Sequence, residues 1–349
     1  LNPMEASVAT VTLGDRPKLA ELHSHLGASV APSILWSIAH DQGMKLPTKD
    51  YWAFEDMVVI KEPFRDGRGV RRLDEKYYKL CELIQSSPVA LTPAVRGVIG
   101  GAYRANNIVL HELRFDPAKR NRAGERDLDH IILSVINGVE RALLEYPMVS
   151  AGIIFELDRD FDARLNTTLY EKARKYQSRG VVGIDVAGPQ NPKFRMEEYV
   201  DLFQDAKRRG FGVTIHTGEE GSADEMHLVV DKIQPQRIGH GVIAHQDRRL
   251  MGKLVEQGIA LELCPTSNLN VGIFSSWAEL KRAYRTIYDA GVKLTINTDG
   301  PEMHGTNLTN ELTLLQQHGV FTAEEITAIV ENSFQASFLK PNGKGKWQG

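Results

Sequence analysis

Short apolar runs that alternate with helix-like stretches constrain this chain more than any other feature of its sequence. Eight runs fit a strand, namely Lys18–Leu22, Ile108–Leu113, Ala151–Glu156, Val181–Val186, Gly212–Ile215, Arg237–Ile238, Ile259–Leu263 and Lys293–Ile296. Five stretches between them fit a helix, namely Tyr170–Arg179, Met196–Arg209, Ala223–Lys232, Arg248–Glu256 and Ala278–Ala290. Glycine follows several of these helices, as expected at a left-handed C-cap. Eight strand–helix alternations predict a parallel α/β architecture.

The position of polar residues decides between the two architectures that fit this alternation, a closed barrel and an open doubly wound sheet. Six polar residues come at the C-terminal ends of predicted strands: His23, His25, His216, Glu219, His240 and Asp299. In a (β/α)8 barrel these ends converge on one mouth, where the active site is built. An open sheet would separate the first strand from the eighth. We therefore predict a (β/α)8 TIM barrel, formed by residues 1–349 as a single domain.

The segment from about Ser33 to Val95 is too long for a simple connection between two strands. We predict that it forms helical insertions after strand one, placed over the mouth of the barrel. Its aromatic residues are Trp36, Tyr51, Trp52, Phe54, Phe64, Tyr77 and Tyr78. Such residues are more typical of packing than of a pocket wall. The basic run Arg65–Arg72 is interpreted as a solvated loop, with a phosphate contact as the alternative.

Charge and cysteine content exclude several classes of protein. The 349 residues include 42 Lys+Arg and 45 Asp+Glu, a formal charge of -3, so no electrostatic argument favours nucleic acid or an anionic membrane as partner. No apolar run approaches the roughly 18 residues of a membrane span. With only Cys81 and Cys264, a disulfide framework is not expected and a cytoplasmic location fits best. We expect a small-molecule substrate; the sequence leaves the oligomeric state open.

The first predicted strand ends in Glu21-Leu22-His23-Ser24-His25-Leu26. Because side chains alternate along a strand, His23 and His25 point to the same side. Inside a barrel, their neutral imidazole nitrogens can bind one metal ion. Taken alone, the pair is a weak signal and is more typical of two histidines on a polar strand end than of a metal site.

Three further motifs favour the metal site. Thr214-Ile-His216-Thr-Gly-Glu219 ends strand five, Gly239-His240-Gly241 ends strand six, and Thr295-Ile-Asn-Thr-Asp299 ends strand eight. Each has a structural interpretation: His216 can be a hydrogen-bonded core histidine, and Asp299 can be a helix N-cap. Their common position at the mouth is much harder to explain structurally.

These motifs, taken together and in this order, resemble the adenosine deaminase family of metal-dependent hydrolases. Cys264-Pro-Thr-Ser-Asn268, Asp185-Val-Ala-Gly188 and Glu112-Leu-Arg114 extend the resemblance, which covers about 18–335. It implies a (β/α)8 barrel carrying one Zn²⁺ per chain, ligated by His23, His25, His216 and Asp299. We expect both termini outside this range to be flexible. A strand-four lysine that commonly bridges two metals in relatives is absent from Val181–Gly188, which favours one metal.

The resemblance also implies hydrolytic deamination of an aminopurine or adenosine-like substrate. Three histidines and a carboxylate leave room for a water, whose pKa the metal lowers towards about 7. Glu219 would donate a proton to a ring nitrogen, so burial should raise its pKa, and Glu220 should point elsewhere. His240 would accept or stabilise the proton of the water. The backbone N–H of Gly188 would meet the substrate ring, and Asp185 is expected among the substrate-binding residues.

Two glycines depart from the family pattern at substrate contacts. The family typically has Asp at the position of Gly27, where it contacts ribose, and commonly has a second Asp at the position of Gly300, where it contacts the purine. Gly27 either weakens adenosine binding or opens space for a bulkier or phosphorylated substituent. We therefore predict that plain adenosine is not the best substrate. Two alternatives are hydrolysis of another amide or ring C–N bond and a catalytically silent binding protein; the latter would need neither Glu219 nor His240.

The remaining histidines are expected to be surface or packing residues, namely His40, His111, His130, His227, His245, His304 and His318. His304 is the least clear of them because it follows strand eight. For Cys264 a structural role is expected rather than a nucleophilic one.

Overall fold

Strands and helices alternate throughout a computed structural model, which describes residues 16–121 and 127–339. The strands are β1 (Leu19–His25), β2 (Ile108–Phe115), β3 (Ser150–Asp158), β4 (Val181–Ala187), β5 (Gly212–Thr217), β6 (Arg237–His240), β7 (Ala260–Leu263) and β8 (Leu294–Ile296). All eight predicted strands are present. Several extend beyond their apolar run into the polar residues at the mouth, because pairing with the next strand continues there.

The helices are α1 (Pro32–Asp41), α2 (Tyr51–Val58), α3 (Gly69–Leu73), α4 (Lys79–Ile84), α5 (Pro88–Asn106), α6 (Leu128–Glu145), α7 (Ala163–Tyr176), α8 (Val200–Arg208), α9 (Ala223–Leu228), α10 (Arg248–Gln257), α11 (Pro265–Asn270), α12 (Trp277–Asp289), α13 (Pro301–His304), α14 (Leu308–Gln317) and α15 (Ala323–Ala336). Side chains cap several N-termini; the Asp247 carboxylate, for example, accepts from the backbone N–H of Leu250. Gly258 ends α10 with φ 67°, the predicted left-handed C-cap. No helix in the described segments has the length and apolar character needed to span a membrane.

The eight strands pair in the order β1 to β8, and every pair is parallel. Asp299, just after β8, closes the sheet against β1. The backbone N–H of His25 donates to the Asp299 carbonyl at 2.7 Å, and the Asp299 N–H donates to the His23 carbonyl at 2.9 Å. The predicted (β/α)8 TIM barrel is therefore confirmed, and its closure places the first and eighth strands side by side.

The segment between β1 and β2 forms α1 to α5, and part of it lies over the mouth. Val70, Leu73 and Tyr78 line the mouth cavity together with His25 and Asp299. Other aromatic residues of the segment, including Phe54, Phe64 and Tyr77, are buried in the hydrophobic core. The three core residues therefore pack as expected, whereas Tyr78 contributes to the wall of the pocket.

The solvated-loop interpretation of Arg65–Arg72 is wrong for its last residues, which form the beginning of α3. Arg71 Nη1 lies 2.6 Å from the Asp160 carboxylate, beyond the end of β3. The backbone N–H of Val70 donates to the Glu220 carboxylate at 2.8 Å. These two contacts hold α3 against the loops that follow β3 and β5.

Charged side chains cross the barrel interior below the mouth. Arg114 Nη2 lies 3.1 Å and Arg237 Nε lies 2.5 Å from the carboxylate of Glu262. All three side chains are fully buried, so each charge needs these partners. Phe338 packs its ring 3.6 Å from the Arg237 guanidinium, which fixes residues 337–339 beneath the barrel. Residues 1–15 and 340–349 lie outside the described residues, so the expected flexibility of the two termini stays a prediction.

Candidate active site

Three histidines and one aspartate converge at the mouth from β1, β5 and the end of β8. Their Nε2 atoms and one carboxylate oxygen face one another: His25 Nε2 lies 3.2 Å from His216 Nε2 and 3.1 Å from Asp299 Oδ1. His23 Nε2 lies 3.2 Å from the same oxygen. One atom from each of the four residues therefore falls within a sphere that a single metal ion can occupy, since all lie within 4.8 Å of one another.

Each of these histidines has a carboxylate on its other ring nitrogen. His23 Nδ1 lies 3.0 Å from Glu262, His25 Nδ1 lies 2.5 Å from Glu156, and His216 Nδ1 lies 2.8 Å from Asp185. A carboxylate in this position fixes the imidazole orientation and directs the free Nε2 lone pair towards a metal.

The four-residue cluster fits a metal ion by a second criterion, which is its unmet bonding capacity. His23 Nε2 is buried and has no hydrogen-bond partner within the described chain. Burial alone would lower the pKa of His25, but the charge of Glu156 and hydrogen bonds with Asp299 and Glu156 raise it to about 10. The cluster therefore stabilises positive charge at its centre, and its nitrogen and oxygen donors suit a divalent transition metal.

Backbone geometry and one hydroxyl group hold Asp299 in place. Its φ of 67° is in the left-handed region, which is uncommon for a residue other than glycine and is often found at functional sites. Ser267 Oγ donates to Asp299 Oδ2 at 2.6 Å, so Oδ1 is left facing His23 and His25. Burial opposes ionisation of Asp299, but the closeness of His23 and His25 holds the pKa of this carboxyl well below its usual value.

Glu219 and His240 lie next to this cluster. Glu219 Oε2 lies 3.6 Å from His240 Nε2, which is itself 3.9 Å from Asp299 Oδ2. Burial raises the pKa of Glu219 well above its usual value, and the charges of Asp299 and Glu220 add to this effect. The raised pKa favours the protonated form of Glu219, which is the form that can donate a proton.

A chain of hydrogen bonds from α12 orients His240. The Tyr284 hydroxyl donates to Asn268 Oδ1 at 3.0 Å, and Asn268 Nδ2 donates to His240 Nδ1 at 3.1 Å. Burial lowers the pKa of His240 well below its usual value, so the ring is neutral. A neutral ring that accepts at Nδ1 carries its proton on Nε2, facing Glu219. Asn268 lies in the Cys264-Pro-Thr-Ser-Asn motif, but its role was not apparent from the sequence.

The structure separates the residues expected to contact substrate into two groups. Gly27 and Gly188 line the mouth cavity. Asp185 does not: it is fully buried behind His216, and its Oδ1 accepts from the His216 backbone N–H at 3.2 Å. The contacts that the structure shows for Asp185 therefore orient His216, and a contact between Asp185 and substrate stays a prediction.

Gly300 is not part of the cavity lining either, and its neighbours leave no room for a side chain. A Cβ at position 300 would lie 2.3 Å from the Cβ of Ala28. The structure therefore does not support a contact between Gly300 and substrate. Glu220 accepts from the N–H of Val70 instead of pointing to the cluster, as expected.

The cavity that contains these groups is small in this structure. Its volume is about 70 Å³, and its walls include Tyr78, Glu219, His240 and Gly188. Pockets that hold drug-sized ligands enclose roughly 300–1,000 Å³. Val70 and Leu73 of α3 form part of the wall of the mouth cavity.

Comparison with known proteins identifies the family. The profile described as adenosine deaminase matches residues 17–347. The chain belongs to the adenosine deaminase family. A curated adenosine deaminase from Vibrio vulnificus is 29% identical over 332 residues, which are 93% of this chain and 96% of that protein. Membership of the adenosine deaminase family is thus supported along almost the whole length.

Two solved structures with the same architecture illustrate the range of similar proteins. An amidohydrolase from Burkholderia ambifaria with bound Zn superposes with a TM-score of 0.79 at 20% identity, covering 96% of this chain and 91% of that one. An N6-mAMP deaminase from Arabidopsis superposes with a TM-score of 0.78 at 23% identity, covering 93% and 94%. At these identities the two structures show the shared fold of the adenosine deaminase family.

Proposed function

We propose that His23, His25, His216 and Asp299 hold one Zn²⁺ per chain, and that Glu219 and His240 act on a substrate beside it. The family makes the chain a metal-dependent deaminase of adenosine-like or aminopurine substrates, a hydrolase of C–N bonds in cyclic amidines. The observation that carries the residue roles is the convergence of Asp299 and three imidazoles, each with a carboxylate on its Nδ1, next to the buried Glu219, whose pKa is raised. The zinc in the Burkholderia structure supports the choice of metal.

The four ligand residues supply three nitrogens and one oxygen, a set that zinc accepts while keeping a further position open. When bound, the metal supplies Lewis acidity that lowers the pKa of a coordinated water towards about 7. The carboxylates on the Nδ1 side of the histidines fix the orientation of the imidazole rings, so the proposed metal ligands are oriented before a substrate binds.

Glu219 is proposed to protonate the ring nitrogen next to the carbon that carries the amino group. Protonation makes that carbon more electrophilic and favours addition of water. The neutral His240 faces Glu219 with its Nε2–H, so it stabilises the attacking water by donating a hydrogen bond to the water oxygen. One proton of the water restores the Glu219 acid, and the other leaves with the amino group. Ammonia is then the leaving group.

Gly188, which also lines the mouth cavity, is proposed to orient the substrate ring. Its φ of 91° lies in the left-handed region, and a Cβ there would lie 2.8 Å from Asp158 Oδ2. A glycine at this position therefore lets the backbone N–H approach the substrate without a side chain in between.

A coupled ammonia assay on the zinc-loaded protein tests this function. The panel contains adenine, adenosine, N6-methyladenosine, their 5′-monophosphates and aminated pterins. We expect ammonia, or methylamine from the methylated compounds, from at least one aminopurine, loss of turnover after chelation, and recovery when Zn²⁺ is returned. Absence of turnover with every aminopurine would contradict the proposal, as would full turnover by metal-free protein.

A further inference from the structure

The residues that follow α15 lie at the end of the barrel opposite the mouth, and we call residues 337–339 the floor segment. A Cβ at Gly212, the first residue of β5, would overlap the ring of Phe338. A Cβ at Gly183 on β4 would lie 2.9 Å from the same ring, and one at Gly152 on β3 would lie 2.7 Å from the leucine that follows Phe338. Three consecutive strands therefore carry a glycine where the floor segment approaches them, which leaves room for its side chains.

The floor segment donates hydrogen bonds to Glu112, a fully buried carboxylate on β2. The Ser337 hydroxyl donates to Glu112 Oε1 at 2.7 Å, and the Phe338 backbone N–H donates to the same oxygen at 2.6 Å. The other oxygen, Oε2, lies 2.5 Å from Arg237 Nη2. Without the floor segment, one oxygen of this buried carboxylate would lose these two donors, at a substantial cost in free energy.

Arg237 on β6 contacts the same end of the chain through its guanidinium group. Its Nη1 donates to the Ala336 carbonyl at 2.8 Å, and the centre of the Phe338 ring lies 3.6 Å from its Cζ. Its Nε lies 2.5 Å from Glu262 Oε2. A guanidinium group is planar and its donors have a fixed geometry, so contacts that fix its plane and one edge also fix the direction of Nε.

Glu262 connects Arg237 to one of the proposed zinc ligands. Its Oε2 faces Arg237, and its Oε1 lies 3.0 Å from His23 Nδ1. The side chains of Glu112, Arg237, Glu262 and His23 are all fully buried. Because water cannot replace a lost partner inside the barrel, Glu262 must follow a displacement of Arg237. The contacts from Phe338 through Arg237 and Glu262 thus reach the ring of His23.

We propose that the floor segment is a positioning element for the metal site: it holds Arg237, and through it Glu262, in the orientation that directs His23 towards the zinc. This inference rests on the proposed function, since it takes His23 as a zinc ligand. It extends that function to residues at the end of the barrel opposite the reacting groups. The competing explanation is that the floor segment only fills this end of the barrel and stabilises the fold.

The first test is Phe338→Leu, which keeps an apolar side chain and removes the ring from Arg237. Competition with a chelator, at a temperature where the variant is fully folded, measures the affinity for Zn²⁺. We expect binding to weaken about 3- to 10-fold, less than the 10- to 100-fold typical of losing a direct partner of a ligating histidine. Phe203→Leu is the matched control, since Phe203 lies on α8 in the hydrophobic core. A merely structural role would leave the zinc affinity of both folded variants unchanged, and that result would overturn the inference.

The second test asks whether the effect of Phe338 is transmitted through Glu262. In the Glu262→Gln background, the added Phe338→Leu substitution should cause no further loss of zinc affinity, because the two residues belong to one chain of contacts. Losses that add fully would overturn the inference. The visible absorption of the Co²⁺-substituted protein gives a second readout: Phe338→Leu should change the spectrum, whereas Phe203→Leu should match the wild type.

Gly212→Ala approaches the floor segment from the opposite direction and keeps the inference testable if Glu262→Gln does not fold. The added methyl group would displace the Phe338 ring, so we expect a loss of zinc affinity similar to that of Phe338→Leu. Gly252→Ala is the control, since a Cβ at Gly252 on α10 would meet no atom within 4 Å. Wild-type zinc affinity in folded Gly212→Ala would overturn the inference. Failure of the proposed function is a distinct result, because the wild-type protein itself would then bind no zinc or release no ammonia.

Discussion

The two sides of the barrel mouth differ in how their buried carboxylates are paired. On the metal side, Glu262, Glu156 and Asp185 each lie against the Nδ1 of one histidine. On the other side, where Asp116 directly follows β2, this carboxylate keeps one buried oxygen without a hydrogen-bond partner in the described chain. A carboxylate that lies against an imidazole nitrogen fixes the orientation of that ring, whereas a buried oxygen without a hydrogen-bond partner carries a cost that a ligand can relieve. The comparison therefore separates carboxylates that orient the clustered histidines from a carboxylate that does not.

The largest expected effect comes from removing two of the four proposed metal ligands together. His216→Ala combined with Asp299→Ala should abolish turnover and leave the protein without bound zinc, because two of the four donors are lost. Metal analysis of purified wild-type protein should give about one equivalent. Full zinc occupancy in the double variant would contradict the assignment of the ligands.

Glu219→Gln should lower kcat by about 10²–10⁴-fold while zinc occupancy stays unchanged, because it removes a general acid without removing a ligand. Glu220→Gln is the matched control, since Glu220 accepts from the backbone N–H of Val70 instead of facing the cluster. Steady-state kinetics and metal analysis on both variants check this. A crippled Glu220→Gln beside an active Glu219→Gln would show that the acid is misassigned.

Replacing a carboxylate behind a histidine should have a smaller effect, and it compares the two sides directly. Glu156→Gln should weaken zinc binding by about 10- to 100-fold, the usual cost of losing a partner of a ligating histidine. Asp116→Asn should leave zinc affinity unchanged, since Asp116 does not lie against any of the ligand histidines. Competition with a chelator measures both. Equal weakening of zinc binding by the two substitutions would contradict the difference between the two sides of the mouth.

The smallest effect is expected from the chain that orients His240. Tyr284→Phe removes the hydroxyl that donates to Asn268, so the amide loses its fixed orientation. We expect a several-fold lower kcat with unchanged zinc content, and a loss of about 1 kcal/mol in the free energy of unfolding. Tyr288→Phe, one turn further along α12, is the control. If both variants had the same kcat, Tyr284 would have no positioning role.

Much of the fold and the four clustered metal-site residues could be predicted because they depend on local spacing. His23 and His25 share a face since they are two residues apart on a strand, and the runs before His216 and Asp299 are recognisable as strands. A parallel barrel then brings all strand ends to one mouth. The prediction of a solvated loop at Arg65–Arg72 was wrong for the last residues of this run because distant carboxylates contact their charges, as Asp160 contacts Arg71.

The sequence by itself determined the strand–helix order, the barrel and the identity of the four residues that cluster at its mouth, since each follows from periodicity and strand ends. Only the tertiary structure decided which carboxylate serves which histidine: His23 and Glu262 are 239 positions apart, and no local pattern relates them. It also placed Asp185 behind His216, and it left Asp116 Oδ2 without a hydrogen-bond partner in the described chain. Pairing of buried charges depends on distances across the closed barrel, and those distances exist only once the chain has folded.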